Sequence, residues 1–477
     1  MGTIKFGTSG WRGIIAEDFT FTGVRAVSQA IGEHVLATEA DAKRRGLVVG
    51  YDPRFLSEAF AAQAARVLAA MEIPVFLCDR DTPTPVIAFE IQRRGAAGGI
   101  NITASHNPPE YNGIKFSAAW GGPAMPEATK RIQERANAIL GGSALADLTL
   151  LEAEARGLVQ RIDPREAYLD RLRSLVSFEV IREARLKVAV DPIYGAGQGY
   201  LDRILREAGC EVTTLHAWRD PHFGGRAPEP SEEHLHELAF QVVESSAHLG
   251  LATDGDADRF GVIDADGAFL EPNYLLALLL KHLVQTRGYT GGVARSVATT
   301  HLLDALARRL EIPVYETPVG FKYIGELIAK DAIVLGGEES AGLSIKGHVP
   351  EKDGILACLL VVELVASRGR ARLKTLLQEL YGEVGTVLTR RKNYRLSPAQ
   401  VERLQARLAD PPAGIAGLAI IEIKRLDGVK CILEDGSWAL FRLSGTEPVV
   451  RLYTEASTPE RLDALTAAGE ELVVGAA

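Results

Sequence analysis

Two hydrophobic periods take turns along this chain. Short β-rich runs bounded by Gly or Asp ("GLVVGYD", "GGINITA", "LKVAVD", "HLGLATD", "KDAIVLGG") alternate with helical stretches such as "SEAFAAQAARVLAAM" and "GYLDRILREAG". That alternation predicts an α/β fold with mixed, mostly parallel sheets. "YLLALLLKHLV" and "ILACLLVVELVA" are too short and too interrupted by charge to span a bilayer, and read as buried helices. Past about residue 380 the pattern changes. "VLTRRKNYRL", "GLAIIEIKRL", "KCILEDG", "WALFRLSG" and "VRLYTEA" predict a mostly antiparallel sheet, with "EDGS" as a hairpin turn. "SPAQVERLQARLA" and "TPERLDALTAAGEEL" predict helices N-capped by Ser and Thr.

A chain of 477 residues is too long for one core. The expected architecture is three related α/β domains around a central cleft, over 1–150, 151–261 and 262–377, with a smaller α+β domain over 378–477. "VVGYDPR" and "VAVDPIY" echo each other as strands ending in Asp-Pro. "INITASHN", "GLATDGDADR" and "AIVLGGEESAG" are apolar strands that break into polar loops, and ligands of open α/β sheets bind beyond such strand ends.

Composition narrows the function. The chain is 47% apolar and 24% charged, with net charge −9, which argues against a general nucleic-acid or anionic-membrane binder. An anionic ligand must therefore be held by local Arg and Lys. Four dispersed cysteines without a C-x-x-C pair exclude thiol-rich metal and redox motifs. With no apolar signal core in "MGTIKFGTSGWRG", the expected location is the reducing cytoplasm.

"TDGDADRF" sets Asp254, Asp256 and Asp258 at alternate positions, pointing the same way if the loop is extended. Crowded carboxylates call for a hard cation. The EF-hand pattern fails, since its sixth position is Arg259 and its twelfth Ala265, which leaves Mg2+ with an open position for a phosphate oxygen. In "FRLSGTEPVVR", the turn Ser444, Gly445, Thr446 forms an anion nest flanked by Arg442 and Arg451. "DPIYGAGQGY" is a decoy, because the third glycine of a dinucleotide fingerprint falls on Tyr200. "GGEESAG" offers Glu338 and Ser340 to sugar hydroxyls, and "KGHVPEKDG" offers His348 and Lys352, a lysine suited to proton transfer if burial lowers its pKa. Lys322 opens a helix, Arg12 sits on a glycine-rich loop, and Lys115 follows ten residues after Ser105.

Ser105, at the mouth of a strand in "TASHNP", has no G-x-S-x-G elbow, and the adjacent His106 is expected to diverge from it. A phosphorylated serine beside a divalent cation is the other reading, carrying a charge of about −1.5 to −2. The ordered set "GTSGWRG", "TASHNP", "DGDADR", "GEESAG" and "RLSGTEP" resembles the α-D-phosphohexomutase family over nearly the whole chain.

The resemblance implies a four-domain enzyme that moves a phosphoryl group between the C1 and C6 oxygens of a hexose through a hexose 1,6-bisphosphate. It makes Ser105 the phosphoserine and a ligand, with Asp254, Asp256 and Asp258, of Mg2+. It places Lys352, Lys115, Arg12 and His106 with the catalytic group, and Arg259, Lys322, Glu338, Ser340 and His348 on the substrate. Arg442, Ser444, Gly445, Thr446 and Arg451 would hold the non-reacting phosphate. "GEESAG" carries Gly342 where many bacterial phosphomannomutase/phosphoglucomutase members carry histidine, so the resemblance favours glucose phosphates. The alternatives are a phosphomannomutase or phosphoglucosamine mutase, then a Mg2+-dependent sugar phosphatase or a non-catalytic sugar-phosphate sensor. The expected partner is a small-molecule sugar phosphate, with the chain a monomer or homodimer.

Overall fold

The predicted β-runs form sheets whose buried strands read as continuous apolar runs. The computed structural model describes residues 3–7, 10–142, 147–443 and 449–475. These fall into two compact units. The first holds the residues up to Pro272 together with Gly320–Gly336 and Ser340–Lys374. The second holds Asn273–Val319, Gly337–Glu339 and the residues from Thr375 on.

The first unit contains a seven-stranded sheet in the order Phe6–Gly7, Gly10–Ile14, Tyr111–Ala118, Gly98–Ile102, Leu47–Tyr51, Val75–Cys78, Val159–Ile162. The last four strands run parallel, and the first three are antiparallel to their neighbours. Leu47–Tyr51 and Gly98–Ile102 are buried at every residue, as central parallel strands covered on both faces must be. The helices Ser57–Ala70 and Thr84–Arg94 pack on them. Phe19, Phe60, Leu68 and Ile100 lie in the resulting core.

A second sheet in this unit is ordered Phe260–Asp264, Leu249–Thr253, Lys187–Asp191, Glu211–Thr214. The first pair is antiparallel and the others parallel. Phe260–Asp264 runs through residue 262, so a boundary drawn there divides a hydrogen-bonded pair, Leu251 facing Val262. "ILACLLVVELVA" is a buried helix, Gly354–Ser367, whose N-cap Asp353 accepts the Leu356 N–H at 2.9 Å. The helix lies against Leu249–Thr253 and Phe260–Asp264.

The third α/β portion is divided between the units. Gly292–Ser296 and Val314–Thr317 pair in parallel in the second unit, while helix Phe321–Ala329 packs on strand Gly342–Ile345 in the first. The second unit also carries the C-terminal antiparallel sheet, ordered Leu388–Arg395, Val449–Ala456, Trp438–Leu443, Val429–Leu433, Leu418–Lys424, Gly414–Ile415. Its helices Pro398–Ala409 and Pro459–Val474 begin at the expected caps, Ser397 and Thr458. Gly436 takes the positive φ of 83° that the "EDGS" turn requires. Three α/β portions and an antiparallel C-terminal portion are thus present, as the hydrophobic pattern predicts. No helix among the described residues is long and apolar enough to cross a membrane.

Candidate active site

Strand Gly98–Ile102 delivers Ser105 to the site. Ser105 is buried and has a left-handed φ of 55°, which turns the chain sharply at the strand mouth. Its Oγ donates a hydrogen bond to Asp254 Oδ2 at 2.9 Å. Contrary to the expected divergence, His106 Nδ1 comes within 3.4 Å of the same Oγ, because the left-handed residue folds the two side chains together. Burial, then the charges of Arg259 and Arg12, holds His106 well below its ordinary pKa. A neutral imidazole at this range is a weak hydrogen-bond partner.

The three aspartates converge, but not through an extended loop. Asp254–Arg259 is a turn in which Ala257 has φ 56° and its N–H bonds the Asp254 carbonyl at 3.0 Å. One carboxylate oxygen from each aspartate lies within 4.8 Å of the others, and all three residues are buried. Asp254 also accepts the Arg259 N–H at 3.0 Å. Asp256 accepts Lys115 Nζ at 2.6 Å and the Thr84 hydroxyl. Asp258 faces Lys115 at 3.0 Å and Lys352 at 3.2 Å. The Oδ1 atoms of Asp256 and Asp258 are buried without a hydrogen-bond partner among the described residues.

Such orphaned oxygens are costly unless a ligand satisfies them. Three converging hard oxygens beside a serine hydroxyl suit Mg2+. Electrostatics separates the carboxylates. Burial, then Asp256 and Asp258, raises Asp254 well above the usual carboxylate range. Burial opposes ionisation of Asp258 too, but Lys115, Lys352 and Arg259 outweigh it and hold Asp258 well below that range.

Cations surround the cluster. Lys115 lies on strand Tyr111–Ala118 opposite Asn101, and is buried. Burial disfavours its charge, but Asp256 and Asp258 reverse the balance and raise its pKa. Arg12 sits on strand Gly10–Ile14, paired with Gly113, so the expected flexible loop is a sheet strand at that residue. Its Nη1 donates to Asn107 Oδ1 at 2.6 Å. Arg259 approaches Glu229 at 3.8 Å and Asp258 at 4.0 Å. Lys352 pairs with Glu351 at 2.6 Å as well as with Asp258. His348 Nε2 lies 2.6 Å from Asp353, which also accepts the Tyr168 hydroxyl at 2.6 Å. Lys322 stands in the first turn of Phe321–Ala329, 5.6 Å from the Tyr323 ring centre.

The sequence reading missed Thr84, Glu351, Tyr168 and Asp353. Glu351 and Asp353 flank Lys352 in "EKDG", a detectable signal. Thr84 and Tyr168 carry none, since they act across 172 and 185 residues.

In the second unit, Arg442 and Arg451 face each other across an antiparallel pair. Arg442 Nε donates to Asp427 at 2.9 Å, while the buried Nε of Arg451 has no hydrogen-bond partner among the described residues. Burial, then Arg391 and Arg442, pulls the Arg451 pKa down. Arg391, which the sequence reading passed over, thus joins them as a third guanidinium. Ser444, Gly445 and Thr446 lie outside the described residues. Glu338 ends strand Ile333–Glu338 and is buried, and Ser340 is half-buried in the first unit.

Four domain descriptions match the chain. They are phosphoglucomutase/phosphomannomutase α/β/α domain I over residues 3–141, domain II over 166–267, domain III over 271–384 and the C-terminal domain over 388–471. A Thermococcus kodakarensis protein named phosphoglucomutase/phosphomannomutase is 32% identical, the match covering 96% of this chain and 95% of its own. A Methanothermobacter thermautotrophicus protein named "probable phosphoglucosamine mutase" is 34% identical over 96% of this chain and 94% of its own. A solved candidate phosphomannomutase from Thermus thermophilus superposes with a TM-score of 0.85 at 35% identity, covering 99% of this chain and all of that one.

Proposed function

This chain belongs to the phosphoglucomutase/phosphomannomutase family of phosphohexomutases, and from that premise we propose that Ser105 carries the phosphoryl group between the 1- and 6-oxygens of a hexose phosphate. The enzyme is an intramolecular phosphotransferase. The observation that carries the role of Ser105 is its hydroxyl, 2.9 Å from Asp254 in a buried three-carboxylate cluster.

Asp254, Asp256, Asp258 and the phosphoserine would hold Mg2+, which when bound neutralises charge on the transferring group. The residues account for the rest. The Oγ–phosphorus bond of phosphoserine breaks as a bond forms to a sugar oxygen, giving a hexose bisphosphate. The other phosphoryl group then returns to Ser105. Lys115, Arg12 and Arg259 supply positive charge around the serine. Lys352 protonates the sugar oxygen released in the second transfer. The proton it gives is the one it takes, as the neutral amine, from the attacking sugar hydroxyl in the first, so the proton count closes over the cycle. His348, Lys322, Glu338 and Ser340 contact the sugar phosphate, and Arg442 and Arg451, with the turn at Ser444, Gly445 and Thr446, hold the non-reacting phosphate. Four free, buried cysteines support a reducing, cytoplasmic setting.

The expected glucose preference gives way to a wider range. Relatives at 32% and 34% identity carry names for glucose, mannose and glucosamine phosphates, which supports glucosamine and mannose phosphates as substrates at least as well as glucose. Side-by-side kinetics on glucosamine, mannose and glucose 1-phosphates with Mg2+ and a trace of bisphosphate test this. The 6-phosphate should accumulate without inorganic phosphate, and Ser105→Ala should abolish turnover while sugar-phosphate binding survives. Stoichiometric phosphate release would make the protein a phosphatase, and full activity of Ser105→Ala would remove the phosphoserine.

A further inference from the structure

The motif "VVGYDPR" has no part in the mechanism above, yet it holds the reactive serine from both sides. Arg54 is completely buried, and its guanidinium makes five hydrogen bonds. Nε donates to Asp52 Oδ2 at 3.1 Å. Nη2 donates to the carbonyls of Ser105 and Asn107, each at 2.6 Å. Nη1 donates to the carbonyls of Pro108 at 2.8 Å and Tyr111 at 3.0 Å. Every N–H of the fork is thereby used. The ring centre of Phe223, in a short turn at Phe223–Gly225 after strand Glu211–Thr214, lies 4.9 Å from the guanidinium carbon.

Asp52 completes the arrangement. Its Oδ2 also accepts the Thr103 hydroxyl at 2.6 Å, and the oxygen of that hydroxyl accepts the Ser105 N–H at 2.8 Å. The carbonyl and the N–H of Ser105 are thus both tied to the Asp52–Arg54 pair, one directly and one through Thr103. These bonds brace the residue in its left-handed conformation, which is uncommon for a residue other than glycine.

The internal echo shows that an Asp-Pro strand end can form its aspartate-to-backbone bond without an arginine. In "VAVDPIY", Asp191 accepts the Ile193 N–H at 2.8 Å, as Asp52 accepts the Arg54 N–H at 3.1 Å. Both strands end in Asp-Pro, but the second carries isoleucine, in the left-handed region at φ 47°, where the first carries arginine. A buried guanidinium is expensive to desolvate. Four of its five donors go to carbonyls between Ser105 and Tyr111, which points to that loop as its purpose.

We infer that Arg54, with Asp52 and Thr103, is a positioning residue that sets the orientation of the Ser105 hydroxyl for phosphoryl transfer, an inference that rests on Ser105 being the phosphoryl carrier. In-line transfer is sensitive to small displacements, and a misplacement of about 1 Å costs roughly 100-fold in rate. Lysine at position 54 keeps the charge but has three donors and no planar fork.

The test labels Ser105 with radioactive hexose 1,6-bisphosphate and measures kcat, KM and thermal melting for wild type, Arg54→Lys and Thr103→Val. Wild type should take up label that Ser105→Ala does not. Arg54→Lys should lose about 100-fold in kcat with KM within about threefold, and its phosphoserine should pass label to the sugar correspondingly slowly. Thr103→Val, of the same shape but leaving the Ser105 N–H without a partner, should lose about tenfold in kcat while staying folded with its melting midpoint lowered by a few degrees, which keeps the test decisive if Arg54→Lys does not fold. If wild-type Ser105 takes no label, the reaction reading falls and the inference with it. If Ser105 labels normally but folded Arg54→Lys or Thr103→Val turns over within threefold of wild type, the positioning role alone is overturned.

Discussion

Lys115 offers a way to separate the charge balance of the site from its architecture. Its buried ammonium lies 2.6 Å from Asp256 and 3.0 Å from Asp258. Lys115→Met keeps the length and apolar stem of the side chain but leaves Asp258 with Lys352 alone and takes from Asp256 its lysine partner. Removing one partner of a buried ion pair costs about 3–5 kcal/mol, because the remaining charge is left uncompensated. At roughly 2 °C per kcal/mol, the lower end for large domains, the melting midpoint should fall by about 6 °C or more in EDTA.

Mg2+ changes the comparison. A cation among the carboxylates replaces the missing charge, and saturation to about 100 times the dissociation constant returns about 2.7 kcal/mol. With one competing positive charge fewer, the variant should bind Mg2+ more tightly and gain more from it than wild type. The assay is thermal melting of both proteins across a Mg2+ titration, with mutase activity measured in parallel. The gap between them should narrow as Mg2+ rises, while turnover stays low because the positive charge proposed to face the phosphoryl group is gone. An equal gap with and without Mg2+, or no Mg2+-dependent stabilisation of either protein, would refute the assignment of the aspartates as the metal site.

Two further outcomes follow from the geometry. Lys352→Met should lower kcat by at least about 100-fold with little change in KM, in the range expected for loss of a general acid, and a change confined to KM would make Lys352 a binding group only. His216 donates to Asp191 at 2.9 Å, and this hydrogen bond raises its pKa above the ordinary histidine value. Its stabilising contribution is therefore full below about pH 6.5 and fades as pH rises through the higher native pKa. Asp191→Asn should consequently cost more melting temperature at pH 6 than at pH 8.5, and an equal cost at both would show that the imidazolium contributes nothing.

Local chemistry was legible in the sequence wherever one short segment decides it. Ser397 and Thr458 cap their helices as their positions predict, because the bonds they make reach only three residues along the chain. The spacing of Asp254, Asp256 and Asp258 announces a carboxylate cluster, which the fold brings together, and "ILACLLVVELVA" announces a buried helix by its lack of a polar face. Even here the backbone differed from expectation. The carboxylates converge through a turn at Ala257, since a tight hairpin joining Leu249–Thr253 to Phe260–Asp264 cannot stay extended.

Only the tertiary structure decided which distant residues meet. Ser105 reaches Asp254 across 149 residues, and Tyr168 reaches Asp353 across 185, because sheet order and helix packing bring those strand ends and loops together. Arg12 reads as part of a glycine-rich loop, yet it belongs to a strand because Tyr111–Ala118 offers it an edge to pair with. Arg54 is an ordinary arginine in the sequence. It becomes a five-fold donor only when folding surrounds it with the carbonyls of the serine loop. Periodicity and spacing record what a segment does to its own backbone, and the identity of a contact across a hundred residues is a property of the assembled sheet.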